Sequence, residues 1–126
     1  MDIDQVLTIH KKLIQEFGGI QGLRDKEMLE SALSRPFQTF DGRELYPSIE
    51  EKAAAILESL LLNHPFIDGN KRIGYTLFRL LILSENKDII SSMDERYELV
   101  VSIASGKIKF DKILEWIKGR VVILNG

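Results

Sequence analysis

The sequence predicts an all-α fold of about six helices. Apolar residues recur at helical spacing along most of the chain. Glycines, prolines and capping residues separate these periodic segments. Two strongly apolar helical segments flank one polar stretch near the middle. With 126 residues, 44% of them hydrophobic and 29% charged, the chain suits one compact domain over 1–126 with a real core.

Taken in order, Ile3, Val6, Leu7, His10, Leu13, Ile14 and Phe17 lie on one face of a first amphipathic helix. Gly18 and Gly19 stop it, since glycine supplies the left-handed conformation at a helix C-terminus. Asp25 caps a second helix that runs to about Ser34, turns Met28, Leu29, Ala32 and Leu33 inward and ends at Pro36. Residues 37–47 contain Asp41-Gly42 and Pro47 without a helical period and read as a turn-containing loop or short flap. Ser48 with Glu51 forms a capping box opening a third helix, in which Ala53, Ala54 and Ala55 give a slim packing surface. Pro65 disfavours helical geometry at His64 and ends that helix.

A fourth helix restarts near Gly69 or Asn70 and runs to about Glu85. Ile73, Leu77, Phe78, Leu80, Leu81, Ile82 and Leu83 cover most of its circumference, so it is expected to be the central, buried helix. Asp94 starts a fifth helix that stops before Gly106, and Asp111 to Lys118 form a sixth. Val121 to Leu124 could add a tail strand, and the order of residues 121–126 is left open.

Composition narrows function. There are 17 Lys+Arg against 19 Asp+Glu and no basic stripe, so nucleic acid is not an expected partner. The absence of cysteine excludes disulfides and thiolate metal sites and agrees with a reducing compartment. The acidic N-terminus is unlike a signal peptide, and the apolar run around Leu77 to Leu83 is too short to span a bilayer; a cytoplasmic protein is expected, with no membrane partner.

Chemistry concentrates in His64-Pro65-Phe66-Ile67-Asp68-Gly69-Asn70-Lys71-Arg72. His64 is a candidate general base for a hydroxyl. Pro65 and Phe66 can anchor the loop, with Ile67 beside them. Asp68, four residues after His64, reads equally as an N-cap or as a Mg²⁺ ligand acting with substrate phosphates. Gly69, Asn70, Lys71 and Arg72 open the fourth helix, where free amides and the dipole attract anions. Lys71 and Arg72 oppose that dipole, a local conflict that a bound phosphate would offset. No Walker loop, HExxH, GxSxG or cysteine nucleophile is present.

This stretch resembles the HPFx[DE]GN[GK]R motif of the Fic/Doc (Fido) superfamily. Gly18-Gly19, Gly22-Leu23-Arg24-Asp25 and Leu29 to Pro36 resemble the upstream signature of its death-on-curing (Doc) branch. The resemblance extends over about residues 3–118. It implies a compact helical fold with a central helical hairpin around the motif and a flap loop at 37–47 that aligns the target segment. By the same resemblance His64 is the catalytic base, Asp68 holds Mg²⁺, and Gly69, Asn70, Lys71 and Arg72 bind the nucleotide phosphates, with ATP as co-substrate.

Two departures from the nucleotidyl-transferring Fic pattern point to the Doc branch: Lys71 replaces a glycine and Tyr75 a second arginine. The resemblance then implies a toxin of a toxin–antitoxin module that moves the terminal phosphate of ATP to a protein Ser/Thr hydroxyl, with elongation factor Tu as the expected substrate. Gly69, the Fic-like residue where Doc has alanine, keeps AMP transfer as the alternative, and a catalytically silent partner-binding module stands as a third reading. The self-inhibiting [ST]xxxE[GN] pattern is missing, Ser91 to Glu95 being followed by Arg96, so an antitoxin binding in trans is expected.

Outside the motif, His10 is expected to be a buried, hydrogen-bonded structural residue. Trp116 is assigned to the core beside Ile113 and Ile117. Lys107, Lys109, Lys112 and Lys118 are assigned to a solvated face.

Overall fold

The computed structural model describes residues 1–125. Six α-helices dominate, and with one 3-10 turn they account for 62% of the chain, which makes the fold all-α. They are α1 (Ile3–Phe17), α2 (Lys26–Ser34), α3 (Ile49–Asn63), α4 (Asn70–Ser84), α5 (Met93–Ala104) and α6 (Phe110–Lys118). A 3-10 turn at Arg35–Phe37 follows α2. No helix among the described residues is long and apolar enough to cross a membrane.

Local signals place the ends of these helices. The Asp25 side chain accepts from the Met28 amide at the start of α2. Ser48 and Glu51 close a full capping box on α3. At α5 the cap is Ser92 with Glu95, not Asp94; serine three residues before a glutamate satisfies two amides at once, and Asp94 lies inside the first turn.

The centre of the molecule is α3, not α4. Every residue from Glu50 to Leu61 except Glu51 is buried, and α2, α4, α5 and α6 all pack against it. The triple alanine and Gly74 of α4 let the two central helices approach: a Cβ on Gly74 would stand 3.3 Å from Leu61 Cδ2. On α4, Leu80 and Leu83 remain exposed, Leu80 opening on a groove beside α1. Helices α3 and α4 thus form a hairpin joined by residues 64–69, with the polar stretch at its bend.

Two small antiparallel pairs complete the fold. Strands β1 (Thr39–Phe40) and β2 (Arg43–Glu44) make the flap a tight hairpin, turned by Asp41 and Gly42 with φ of 52° and 76°. Its base is fastened to α3, where Lys52 bonds Glu44 and the Tyr46 carbonyl. Strands β3 (Lys87–Ile89) and β4 (Val121–Ile123) pair in register Lys87 to Ile123. The tail segment is therefore a strand; its partner, β3, carries no sequence signal of its own because three residues cannot display a period. Of the open span 121–126, Gly126 lies outside the described residues.

Arg35 sits where three elements meet. Its guanidinium donates to Glu58, Ser59, the Ala55 carbonyl and the Tyr46 hydroxyl, so it ties the end of α2 and the flap base to α3. Met28, expected inward, is 43% exposed; only its carbonyl, which accepts from the Asn63 side chain, engages the end of α3. Trp116 is half-buried beneath Arg120, while Ile113 and Ile117 are fully buried.

Candidate active site

The bend of the hairpin opens into a cleft of about 810 Å³. His64, Asp68, Gly69, Asn70, Lys71 and Arg72 all line it, joined by Phe17 from α1, Tyr75 from α4, and Arg96 and Tyr97 from α5. The flap residues are absent from this lining.

His64 caps the C-terminus of α3 in a left-handed conformation (φ 47°, ψ 57°). Glycine is the usual residue there, so the histidine is held against its backbone preference. Its imidazole is exposed and makes no hydrogen bond among the described residues, while its carbonyl accepts from Arg24 Nε at 2.7 Å.

The loop that follows is pinned from three sides. Arg24 also donates to the Asn63 carbonyl, closing off the last turn of α3. The Arg24 and Asp25 amides both donate to the Pro65 carbonyl, and the Ile67 amide donates to Gly22, so residues 22–25 run as an antiparallel bridge beside 65–67. The Asn70 side chain reaches back like a backbone unit, accepting from the Phe66 amide and donating to the Phe66 carbonyl, both at 3.0 Å. Beneath the loop, Phe66 is buried and stacks on His10 at 3.7 Å with the rings 10° apart. His10 Nε2 donates to the Asp68 carbonyl at 2.8 Å; a carbonyl can only accept, so that nitrogen carries the proton. His10 is buried and structural as expected, and its partner is the backbone of the site itself.

Asp68 does not cap α4, which has no side-chain cap. Its carboxylate turns outward and accepts from the Ile20 amide at 3.1 Å and from the Gly69 amide at 2.8 Å. These bonds, the Ile20 one first, hold its pKa below the ordinary aspartate value, and the nearby His10 and Arg72 add to the effect. Gly19 makes room for the carboxylate: a Cβ there would fall 2.8 Å from Asp68 Oδ2. Gly69 has φ 75° and lies against Ile14 and His10, so both its backbone and its space call for glycine.

Backbone bonding in α4 starts with the Ile73 amide to the Gly69 carbonyl, which leaves the amides of Asn70, Lys71 and Arg72 ahead of the helical ladder. Lys71 and Arg72 are exposed and form no ion pair among the described residues. The Arg72 guanidinium lies over the Phe17 ring at 4.4 Å. Phe17, expected on the apolar face of α1, is 56% exposed and forms this shelf in the cleft lining as the last residue of α1.

A resident cation is testable on this donor set. No group of three or more His, Asp or Glu side chains could close around a metal among the described residues. A single ionised carboxylate with spare lone pairs, next to an anion-attracting helix terminus, suits Mg²⁺ held jointly with phosphate oxygens and does not suit an all-protein metal cage.

The Fic/DOC family model matches residues 1–82, which include α1, the bridge, the flap, the motif loop and most of α4. The chain belongs to the Fic/Doc family. The Toxin Doc of Mycolicibacterium smegmatis (strain ATCC 700084 / mc(2)155) is 46% identical over 59 residues, 47% of this chain and 45% of that protein. This Fic/Doc chain thus aligns with less than half the length of that relative.

The motif residues stood out in the sequence; their supports did not. Arg24, the Asn70 side chain and His10 act through backbone carbonyls and amides, and such partners leave no trace in residue spacing. The upstream signature that contains Arg24 was the available signal. Phe17 and Arg96 gave none.

Proposed function

We propose that this Fic/Doc chain is the toxin of a toxin–antitoxin module and that it transfers the terminal phosphate of ATP to a Ser/Thr hydroxyl of a protein, with elongation factor Tu as the target. The observation that carries the reading is the convergence of His64, Asp68 and the uncapped N-terminus of α4 with Arg72 in one cleft. A likeness to a Toxin Doc supports the toxin role and, with it, an antitoxin partner acting in trans.

In this reading the free His64 imidazole takes the proton of the target hydroxyl as its oxygen attacks the terminal phosphorus. The bond from that phosphorus to the bridging oxygen breaks and ADP departs. The amides of Asn70, Lys71 and Arg72 and the Arg72 guanidinium face the charge that develops on the phosphoryl oxygens, with no reorganisation needed at the moment of transfer. Mg²⁺, held by Asp68 and phosphate oxygens, would supply charge neutralisation on the phosphates. The side chain of Asn70 is committed to Phe66, so its part in the phosphate cradle is its amide.

AMP transfer rested on Gly69 as a Fic-like residue. The left-handed backbone and the close contact with Ile14 give that glycine a local reason of its own, so it weighs less for AMP transfer. The deciding assay supplies ATP labelled at either the α or the γ phosphate, with Mg²⁺ and with elongation factor Tu or whole-cell lysate as acceptor. Protein label from the γ position alone is expected. Label from the α position establishes AMP transfer, and no label from either in folded protein supports a partner-binding module.

A further inference from the structure

Arg96 is the third cation of the cleft, and it comes from a different helix. Its guanidinium lies 5.7 Å from the centre of the Tyr75 ring, and both residues line the same space as Arg72 and Asp68. It forms no ion pair among the described residues. Its helical neighbours at three and four residues' distance are Met93, Leu99, Ser92 and Val100, so α5 offers it no acid on the same face. The adjacent Glu95 is already bound to Arg120 at 2.7 Å and to the Ser92 amide. A half-buried arginine left without an anion, beside a carboxylate outnumbered by cations, is an arrangement that a further anion would complete.

The shelf beneath it is backed by the core. Tyr75 packs against Phe78 at 5.2 Å, and Phe78 is fully buried. Arg72 and Tyr75 are three residues apart on α4, so their positions differ by about 4.5 Å along the helix axis. Arg96 therefore rests on a residue further along α4 than its anion-attracting terminus and opens on the same cleft.

We propose that Arg96, shelved on Tyr75, is a second anion-binding residue of the cleft, taking the phosphate of a polyphosphate chain that lies beyond the one held at the N-terminus of α4. The inference deepens the nucleotide reading above and rests on it for the identity of the ligand. It makes the cleft select di- and triphosphates over monophosphates.

The test compares wild type, Arg96→Ala and Arg96→Lys for binding of ATP, AMP and inorganic tripolyphosphate by calorimetry with Mg²⁺, with melting temperature as the fold control. Arg96→Ala is expected to weaken ATP and tripolyphosphate about tenfold, ~1.4 kcal/mol, and to leave AMP unchanged. Arg96→Lys should recover part of the loss. Tyr75→Leu, which removes the shelf and keeps the charge, should weaken ATP in the same selective way. Equal loss of ATP and AMP, or no loss of either, overturns the proposal. If wild type binds tripolyphosphate in an Arg96-dependent way but not ATP, the anion role stands and the nucleotide reading falls. If wild type binds none of the three, both fall.

Discussion

Replacing Asn70 by alanine tests whether the motif loop is held by one side chain. The amide of Asn70 meets the Phe66 N–H and C=O, each at 3.0 Å, and Phe66 is almost wholly buried. Alanine removes both partners at once and leaves two backbone groups beneath the loop. Each buried group deprived of its partner costs about 1–3 kcal/mol. Water entering from the cleft would satisfy part of that demand, so a total of about 2–4 kcal/mol is expected. For a chain of this length each kcal/mol lowers the melting temperature by about 4 °C, so Asn70→Ala should melt roughly 8–16 °C below wild type. Asn70→Asp keeps an acceptor for the Phe66 amide and sets a second oxygen against the Phe66 carbonyl, so it should fare no better than alanine. Hydrogen exchange locates the damage: the Phe66 amide and the bridge amides of Arg24 and Asp25 should lose protection before those of α3. If Asn70→Ala melts within about 2 °C of wild type and Phe66 stays protected, the loop is held by the bridge and by His10, and the reasoning fails.

Three further expectations follow from the same geometry. His64→Ala should lower transfer at least about 100-fold with little change in melting temperature, whereas His64→Gly should lose transfer equally and gain about 1 kcal/mol, because glycine relieves the left-handed cap; denaturant titration beside the labelled-ATP assay reads both. Arg35→Ala strips Glu58 of its partner at the flap base and should cost about 3 kcal/mol, measured by urea unfolding, with Arg35→Lys recovering only part because one ammonium cannot serve all four acceptors. Asp68 has a folded pKa below its unfolded one, so its contribution to stability is present above about pH 3.9 and is lost as pH falls through the lower folded value; Asp68→Asn should therefore flatten the acid limb of the stability profile in that window and leave its shape at neutral pH unchanged.

Much of this protein was legible from short-range chemistry. Capping boxes, glycine stops and the proline after His64 act within one or two turns, so the bounds of α1, α2, α3, α4 and α6 could be read to within a residue or two. The same holds for the candidate site: a histidine, a carboxylate and a basic helix start lie within nine residues. Burial was less legible. The apolar run of α4 looked more central than α3, because apolar content reports what a helix could bury and not what neighbouring helices cover; Leu80 and Leu83 stayed exposed while Glu50, Lys52 and Glu58 went inside with partners.

The sequence by itself determined the helical architecture, the hairpin bend that carries the motif and the identity of the motif side chains, since each depends on residues close along the chain. Only the tertiary structure decided how those side chains are held and what else faces them. Arg24 reaches carbonyls about 40 residues away. His10 bonds the Asp68 backbone from 58 residues away. Phe17 and Arg96 meet the cleft from helices that the chain brings there only on folding. Such contacts join a side chain to the backbone or to a ring across long loops, and neither partner bears a periodic mark that a sequence can display.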